Sequence, residues 1–174
     1  MPVFTEEMKK AIRNIPDFPK RGILFRDITP LLTDGAMFRK CIDRFVGLVP
    51  KPVDHVISIE SRGFIFGSAL SYALNAGFVP IRKEGKLPHE KFQTSYELEY
   101  GSAVVEIHVD AVHKGSKVII VDDVLATGGT VKAAVHLAEK LGAEIAGIFF
   151  LIELAGLKGR DKLKNYPVHS LVTY

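Results

Sequence analysis

Cysteine is nearly absent from this 174-residue chain, and the one present, Cys41, cannot close an internal disulfide. A disulfide-stapled scaffold is therefore excluded, and the usage agrees with a reducing compartment, so a cytoplasmic protein is expected. Cys41 shares a helical face with Phe38, Ile42, Phe45 and Val49, which points to core packing rather than to a nucleophile. Long apolar runs are missing too. None approaches the ~20 residues that span a bilayer, and Met1 to Phe4 followed by Glu6 and Glu7 is not a secretory pattern, so no membrane partner is expected. Charge of one sign is scarce: a net +3, evenly spread, suits anionic small molecules and argues against a nucleic-acid partner. The histidines show no ligand spacing, and there is no repeat, low-complexity tract or linker. With 47% hydrophobic and 25% charged residues, the chain reads as one globular domain over 1–174.

What the chain does have is the stretch KVIIVDDVLATGGT, Lys117 to Thr130. Four β-branched residues, Val118 to Val121, predict a strand buried on both faces, as a parallel sheet requires. Two carboxylates, Asp122 and Asp123, follow at its carboxyl end. Ala126, Thr127, Gly128, Gly129 and Thr130 then form a small, glycine-rich loop opening a helix with apolar Val131, Ala134, Val135, Ala138 and Leu141. Side chains this small leave backbone N–H groups uncovered at a positive helix start, where a phosphate is cradled. Carboxylates next to it accept hydrogen bonds from sugar hydroxyls or hold a hydrated divalent cation. The pattern suggests a ribose 5-phosphate site at the end of a sheet; an ordinary β-turn-α corner with surface aspartates is the alternative. The loop is neither GxxxxGK[ST] nor GxGxxG, which disfavours nucleoside triphosphates and dinucleotides.

Around that stretch, Thr5 is expected to cap a first helix with Met8, Ala11, Ile12 and Ile15 as its stripe, ended by Pro16 and Pro19. PDFPKRGILFRDITPLL is irregular and aromatic, either an awkward connection or a cover over a site. Asp34 caps the helix of Cys41. Val53 to Ile59 predicts a strand delivering Glu60, Ser61, Arg62 and Gly63 to its end, followed by a helix with Phe66, Leu70, Ala73 and Leu74 on one face. Arg62 is placed as a fork donor to phosphate oxygens, with a surface pair to Glu60 as the bland alternative. After a strand over Phe78 to Ile81 comes RKEGKLPHEKF, in which Glu84, His89, Glu90 and Lys91 read as solvated. Phe92 to Tyr96 and Ala103 to Ile107 flank ELEYG and predict a β-ribbon. Gly142 ends the later helix, Glu144 to Leu151 and Val168 to Val172 are further strands, and KGRDKL is a short helix. Alternating strands and helices predict an α/β fold, a parallel twisted sheet with helices on both faces.

VDDVLATGGT resembles the signature for phosphoribosyl pyrophosphate (PRPP) in the type I phosphoribosyltransferase family. FRDITPLL, ESRGF, RKxGKLP and LEYG are similar to its adenine-specific members, and the likeness runs from PDFP to the final strand. The resemblance implies a reaction of adenine with PRPP giving AMP and pyrophosphate, with Mg²⁺ bound through PRPP and no direct protein ligand beyond water-mediated contact to Asp122 and Asp123. It implies a small amino-terminal hood, about 16–33, in which Phe25 stacks on adenine, the Arg26 backbone reads its amine and Asp27 supports the turn, with Leu125 also against the base. Ribose and phosphate fall to Asp122, Asp123, Ala126, Thr127, Gly128, Gly129 and Thr130. Pyrophosphate falls to Ser61, Arg62, Arg82, Lys83 and Lys86, with a cis peptide often found in the Glu60–Ser61 loop.

The ribbon, about 92–107, resembles the family's flexible lid, in which Glu99 manages the purine proton and Tyr100 contacts pyrophosphate; Tyr96 and Glu97 belong to the same closing segment. Enzymes for hypoxanthine and guanine usually carry an aspartate where this loop has Ala126, so the alanine points to a 6-aminopurine. A homodimer is expected from the family. Two other readings share the PRPP loop: a transferase for another purine such as xanthine, and a PRPP-sensing transcriptional regulator. The latter would be expected to add a DNA-binding segment, and the first helix, with Lys9, Lys10 and Arg13, has no helix-turn-helix partner.

Overall fold

The computed structural model describes residues 2–97 and 101–174, so the expectations for Glu99 and Tyr100 lie outside the described residues. The chain divides into two compact units, Met1–Arg44 and Phe45–Tyr174.

The first unit holds helix α1 (Pro2–Lys10), an antiparallel ribbon of β1 (Arg13–Pro16) and β2 (Leu24–Asp27), a short α2 (Thr29–Thr33) and most of α3 (Gly35–Val46). Thr5 lies inside α1 rather than at its cap, because the helix already begins at Pro2, and proline is well tolerated in a first turn. Ile15 leaves the helical stripe for β1, where it sits opposite Phe25. The segment read as irregular is thus a closed ribbon, with Phe18 edge-to-face on Phe25 at 5.1 Å. Asp27 Oδ1 accepts the Thr29 N–H at 2.9 Å. Asp34 caps α3 as expected, accepting the amides of Ala36 and Met37 at 3.0 Å. Cys41 is fully buried, and burial pushes its thiol up to about 12, which leaves no thiolate for chemistry near neutrality.

The second unit is built on a seven-stranded sheet. Its strands are β3 (His55–Ile59), β4 (Gly77–Lys83), β5 (Lys91–Glu97), β6 (Ser102–His108), β7 (Lys117–Leu125), β8 (Glu144–Glu153) and β9 (Val168–Thr173), in the order β5-β6-β4-β3-β7-β8-β9. From β4 to β9 all neighbours are parallel, and the β5–β6 ribbon adds antiparallel at one edge. Helices α4 (Gly63–Leu74) and α5 (Gly129–Lys140) cover opposite faces. Alternation decides which side chain meets which helix. Ile57, Ile59, Val118, Ile120, Ile148 and Phe150 form one core with Val131, Ala134, Val135 and Ala138 of α5. On the other face Ser58 packs under Gly67 of α4, whose inward residues are Gly63, Phe66, Gly67, Leu70 and Ser71; Ala73, expected on that face, is exposed. No helix among the described residues is long and apolar enough to cross a membrane.

Candidate active site

The connections leaving β3 and β7 diverge: β3 leads through α4 to β4 on one side, and β7 through α5 to β8 on the other. Between two such strands a crevice opens at the carboxyl ends, the common position for a ligand in a sheet of this kind. Ser58 of β3 stands opposite Val121 of β7, and its Oγ donates to the Val121 carbonyl at 3.0 Å, so the sequences that follow both strands emerge side by side.

The strand β7 is longer than its apolar run. It continues through Asp122, Asp123, Val124 and Leu125 because β8 pairs with it as far as Leu125–Glu153 after the β3 ladder has stopped at Val121. The acidic pair is therefore part of the strand rather than the residues after it. Successive strand residues face opposite ways. Asp122 and Val124 line a cavity of about 50 Å³ with Leu125 and the loop Ala126 to Val131, while Asp123, 8% exposed, has Arg62 Nη2 2.7 Å from its Oδ2. That contact is close but not aligned as a hydrogen bond, and among the described residues the oxygen has no hydrogen-bond donor. Burial and the adjacent Asp123 charge push the Asp122 carboxyl well above the usual aspartate range. Burial raises Asp123 too, against the pull of Arg62. Gly63 permits this crowding, since a Cβ there would lie 2.6 Å from Asp122 Oδ1.

The loop after β7 is held from below. Gly128 caps α5 at φ +77°, and a Cβ on it would lie 2.6 Å from the Gly159 carbonyl in the 3-10 turn Gly159–Leu163. That turn is anchored by Arg160, whose Nε donates to Glu153 Oε1 at 2.9 Å and Nη1 to the Val168 carbonyl at 2.9 Å, while Ser170 Oγ donates to Glu153 Oε2 at 2.7 Å. The Lys132 N–H, which donates to Gly128, is the first amide of α5 with a backbone acceptor; among the described residues none accepts from the amides of Thr127 to Val131. Five donors at a positive helix start suit an anion.

A second cluster forms around Glu60 at the end of β3. It accepts Arg82 Nε at 3.4 Å, the Lys83 amide at 2.9 Å and Lys86 Nζ. Burial pushes this carboxyl up, but Lys86, the Lys83 amide and Arg82 outweigh it and hold it at about 2. The Glu60–Arg62 pair is thus not made: Arg62 turns to Asp123, and Glu60 takes the basic residues of β4 and the turn after it. The Glu60–Ser61 bond is not cis; Ser61 carries φ +98°, a strained backbone for a residue with a Cβ. The Lys83 and Lys86 side chains are exposed, and the basic candidates converge on the same end of the sheet as the acidic pair. Leu125, 1% exposed, belongs to the core cluster as well as to the cavity wall.

The matching family model, the phosphoribosyl transferase domain, covers residues 36–172. The adenine phosphoribosyltransferase of Halothermothrix orenii is 56% identical over 167 residues, 95% of this chain and 98% of that protein. The chain belongs to the adenine phosphoribosyltransferase family. The crystal structure of the Thermoanaerobacter pseudethanolicus member is similar at TM-score 0.94 and 50% identity, covering 98% of this chain and 99% of that one. The Saccharomyces cerevisiae member, in complex with an imino-altritol bisphosphate and adenine, reaches TM-score 0.94 at 45% identity over 98% and 99%.

Within this family fold, three buried or half-buried charges were not singled out from the sequence: Glu106, Glu153 and Arg160. Lys91, read as solvated, instead lies 3.0 Å from Glu106 through its Nζ, because a carboxylate buried in β6 needs a cation. The signals were present as a glutamate inside AVVEIHV and one ending FFLIE, each interrupting an apolar strand.

Proposed function

We propose that this chain transfers the 5-phosphoribosyl group of PRPP to adenine, forming AMP and releasing pyrophosphate. The observation that carries the reading is the row of uncovered amides from Thr127 to Val131 beside the half-buried Asp122 and the buried Asp123, with a cationic cluster at the neighbouring strand end. The relatives that match nearly end to end supply the base.

In this reading the 5-phosphate sits on the amides of the loop, and Asp122 and Asp123 accept the ribose hydroxyls. Arg62, Arg82, Lys83 and Lys86, with Ser61, receive the pyrophosphate. The C1–O bond to pyrophosphate breaks, the purine N9–C1 bond forms, and the N9 proton leaves, a step we assign to Glu99. Catalysis is mostly positioning and neutralisation of the leaving group. Phe25 stacks on the base, the Arg26 backbone reads its amine, Leu125 bounds it, and Tyr100 reaches the pyrophosphate. Ala126 leaves no carboxylate to serve a 6-oxopurine.

The residues fit a magnesium ion that comes with PRPP. Among the described residues no group of three or more His, Cys, Asp or Glu could cage a metal, whereas one or two carboxylates suffice for an ion already carried by phosphates and waters. Asp122 and Asp123 would hold it through water, and the ion would neutralise charge on the departing pyrophosphate. The domain is read as one unit of function over 1–174, with the ribbon of the first unit as hood and β5–β6 as lid, acting as a homodimer in the cytoplasm.

The test is AMP formation from equal adenine, hypoxanthine, guanine or xanthine, with PRPP and with or without Mg²⁺. Magnesium-dependent turnover of adenine alone is expected. Turnover of another base instead would keep the phosphoribosyl site and overturn the base assignment. No turnover of any base, with PRPP still bound, would favour the regulator.

A further inference from the structure

Glu106 is 0% exposed, yet nothing in the reaction requires a carboxylate at that depth. An ionised group is expensive to bury unless every lone pair finds a donor, so its partners identify what it holds. They come from the turn at 85–87 and from strand β5. Oε1 accepts the Gly85 amide at 3.0 Å and Gln93 Nε2 at 2.8 Å, and Oε2 accepts the Leu87 amide at 3.4 Å and Lys91 Nζ at 3.1 Å. Burial pushes the carboxyl up, but the Gly85 amide, Lys91, Gln93 and the Leu87 amide together hold it at about 2, so it is ionised at any working pH.

The two tethered amides belong to the residues on either side of Lys86. Gly85 takes a left-handed turn at φ +80°, and Leu87 is buried, so the chain is fixed before and after Lys86 while the Lys86 side chain points outward to Glu60. Glu60 in turn accepts from Arg82 and from the Lys83 amide. A continuous polar chain therefore runs from β6, one strand in from the sheet edge, to the end of β3: Glu106, the 85–87 turn, Lys86, Glu60. Apart from the buried Leu87, a turn this rich in charge and glycine has little packing to fix it, and one buried carboxylate supplies two fixed points.

We propose that Glu106 is a positioning residue for PRPP: it shapes the turn that presents Lys86 and its neighbours to the pyrophosphate group, without touching substrate itself. This rests on the reading of the site as a PRPP site. Because the turn contributes to binding the phosphates and not the base, loosening it acts on one substrate selectively. A residue serving only the stability of the fold would raise no KM selectively.

The test compares wild type, Glu106→Gln, Lys86→Met and the double variant, each assayed below its own melting temperature. Glu106→Gln keeps the shape but replaces one acceptor oxygen by a donor that opposes the amides. KM for PRPP is expected to rise about tenfold with KM for adenine unchanged, the worth of a lost charge-assisted contact. Adding Glu106→Gln to Lys86→Met should cost PRPP affinity little more, since the two act through one chain. Hydrogen exchange should quicken at Gly85 and Leu87 and stay slow in β3 and β7. Unchanged KM for PRPP, equal rises for both substrates, full additivity with Lys86→Met, or exchange quickened throughout the sheet would each overturn the proposal. If Glu106→Gln does not fold, Glu106→Asp, which keeps the charge but withdraws the oxygens, is held to the same outcomes. PRPP binding by the wild type reports separately on the PRPP reading: its absence defeats that reading, whereas a wild type that binds PRPP and a variant that keeps its PRPP affinity defeat only the role of Glu106.

Discussion

Arg62 Nη2 lies 2.7 Å from Asp123 Oδ2, which ties the loop after β3 to the strand that carries the acidic pair. In the proposed function, the guanidinium offered to one end of PRPP is thus oriented by the carboxylate offered to the other. A lysine keeps the charge but has no fork with which to serve both. Arg62→Lys should lower kcat/KM for PRPP about 10- to 100-fold, the range of one charge-assisted hydrogen bond, and leave the thermal transition nearly unchanged because Arg62 is partly exposed. Steady-state kinetics with either substrate varied decides it; a loss confined to adenine would contradict the assignment.

Gly128 carries two demands at once, a positive φ and the close approach of the Gly159 carbonyl. Gly128→Ala should cost about 2 kcal/mol of stability or more, since alanine is strained in the left-handed region and its Cβ meets backbone that cannot give. The same displacement turns loop amides off the phosphate, so PRPP affinity should fall with it. Denaturant unfolding and PRPP titration on one preparation check both effects.

How much of this was readable beforehand depended on whether a residue's partner was local. The strand, glycine-rich loop and helix start from β7 to α5 were legible because VIIV and TGGT carry their meaning in adjacent positions. Arg82, Lys83 and Lys86 were legible as a basic run, but not Glu60 as the carboxylate that gathers them, which follows from the parallel β3–β4 register placing Ile59 beside Ile81. Asp122 and Asp123 were read as following the strand because the apolar run stops at Val121. The length of β8, remote in sequence, extends the ladder past them. Lys91 was misread for the same reason, since nothing near it announces Glu106 across the ribbon. In the first unit, Pro16 and Pro19 were read as ending a helix, while pairing of β1 with β2 had already claimed Ile15.

Arg160 works at one remove from the loop proposed to hold the phosphate. Its hold on Glu153 fixes the turn whose Gly159 backbone lies under Gly128. Arg160→Ala should cost only about 1–2 kcal/mol, because the arginine side chain is half exposed, while KM for PRPP rises severalfold and KM for adenine does not. Equal changes for the two substrates would show that the turn serves the fold alone.

In the proposed function, Ala126 stands where an aspartate would serve a 6-oxopurine. If base choice also rests on the hood, supplying that carboxylate is not enough, because backbone groups set to read an exocyclic amine still mismatch guanine. Ala126→Asp should therefore lower adenine turnover without conferring guanine turnover. Detectable GMP from guanine and PRPP would show that the loop alone selects the base.

Asp122 gives the prediction in which function and stability oppose each other. Burial and the Asp123 charge raise its carboxyl well above an unfolded aspartate, near 3.9 as an approximate reference value. Between that value and the raised one, the folded chain binds more protons than the unfolded chain, so stability is greatest at the acid end of the window and falls as pH rises through it. Asparagine at 122 has no proton to lose. Asp122→Asn should therefore melt higher than wild type at neutral pH, by about 2–4 °C for each kcal/mol relieved, and the difference should shrink as pH falls toward the acid end of that window. Activity should be lost together with the acceptor for the ribose hydroxyls. PRPP with Mg²⁺ should stabilise wild type and leave the variant where it was, since the buried charge is tolerated for the ligand that neutralises it. Melting curves at several pH values, with and without PRPP and Mg²⁺, read all of this, and parallel pH profiles for the two proteins would remove Asp122 from the account.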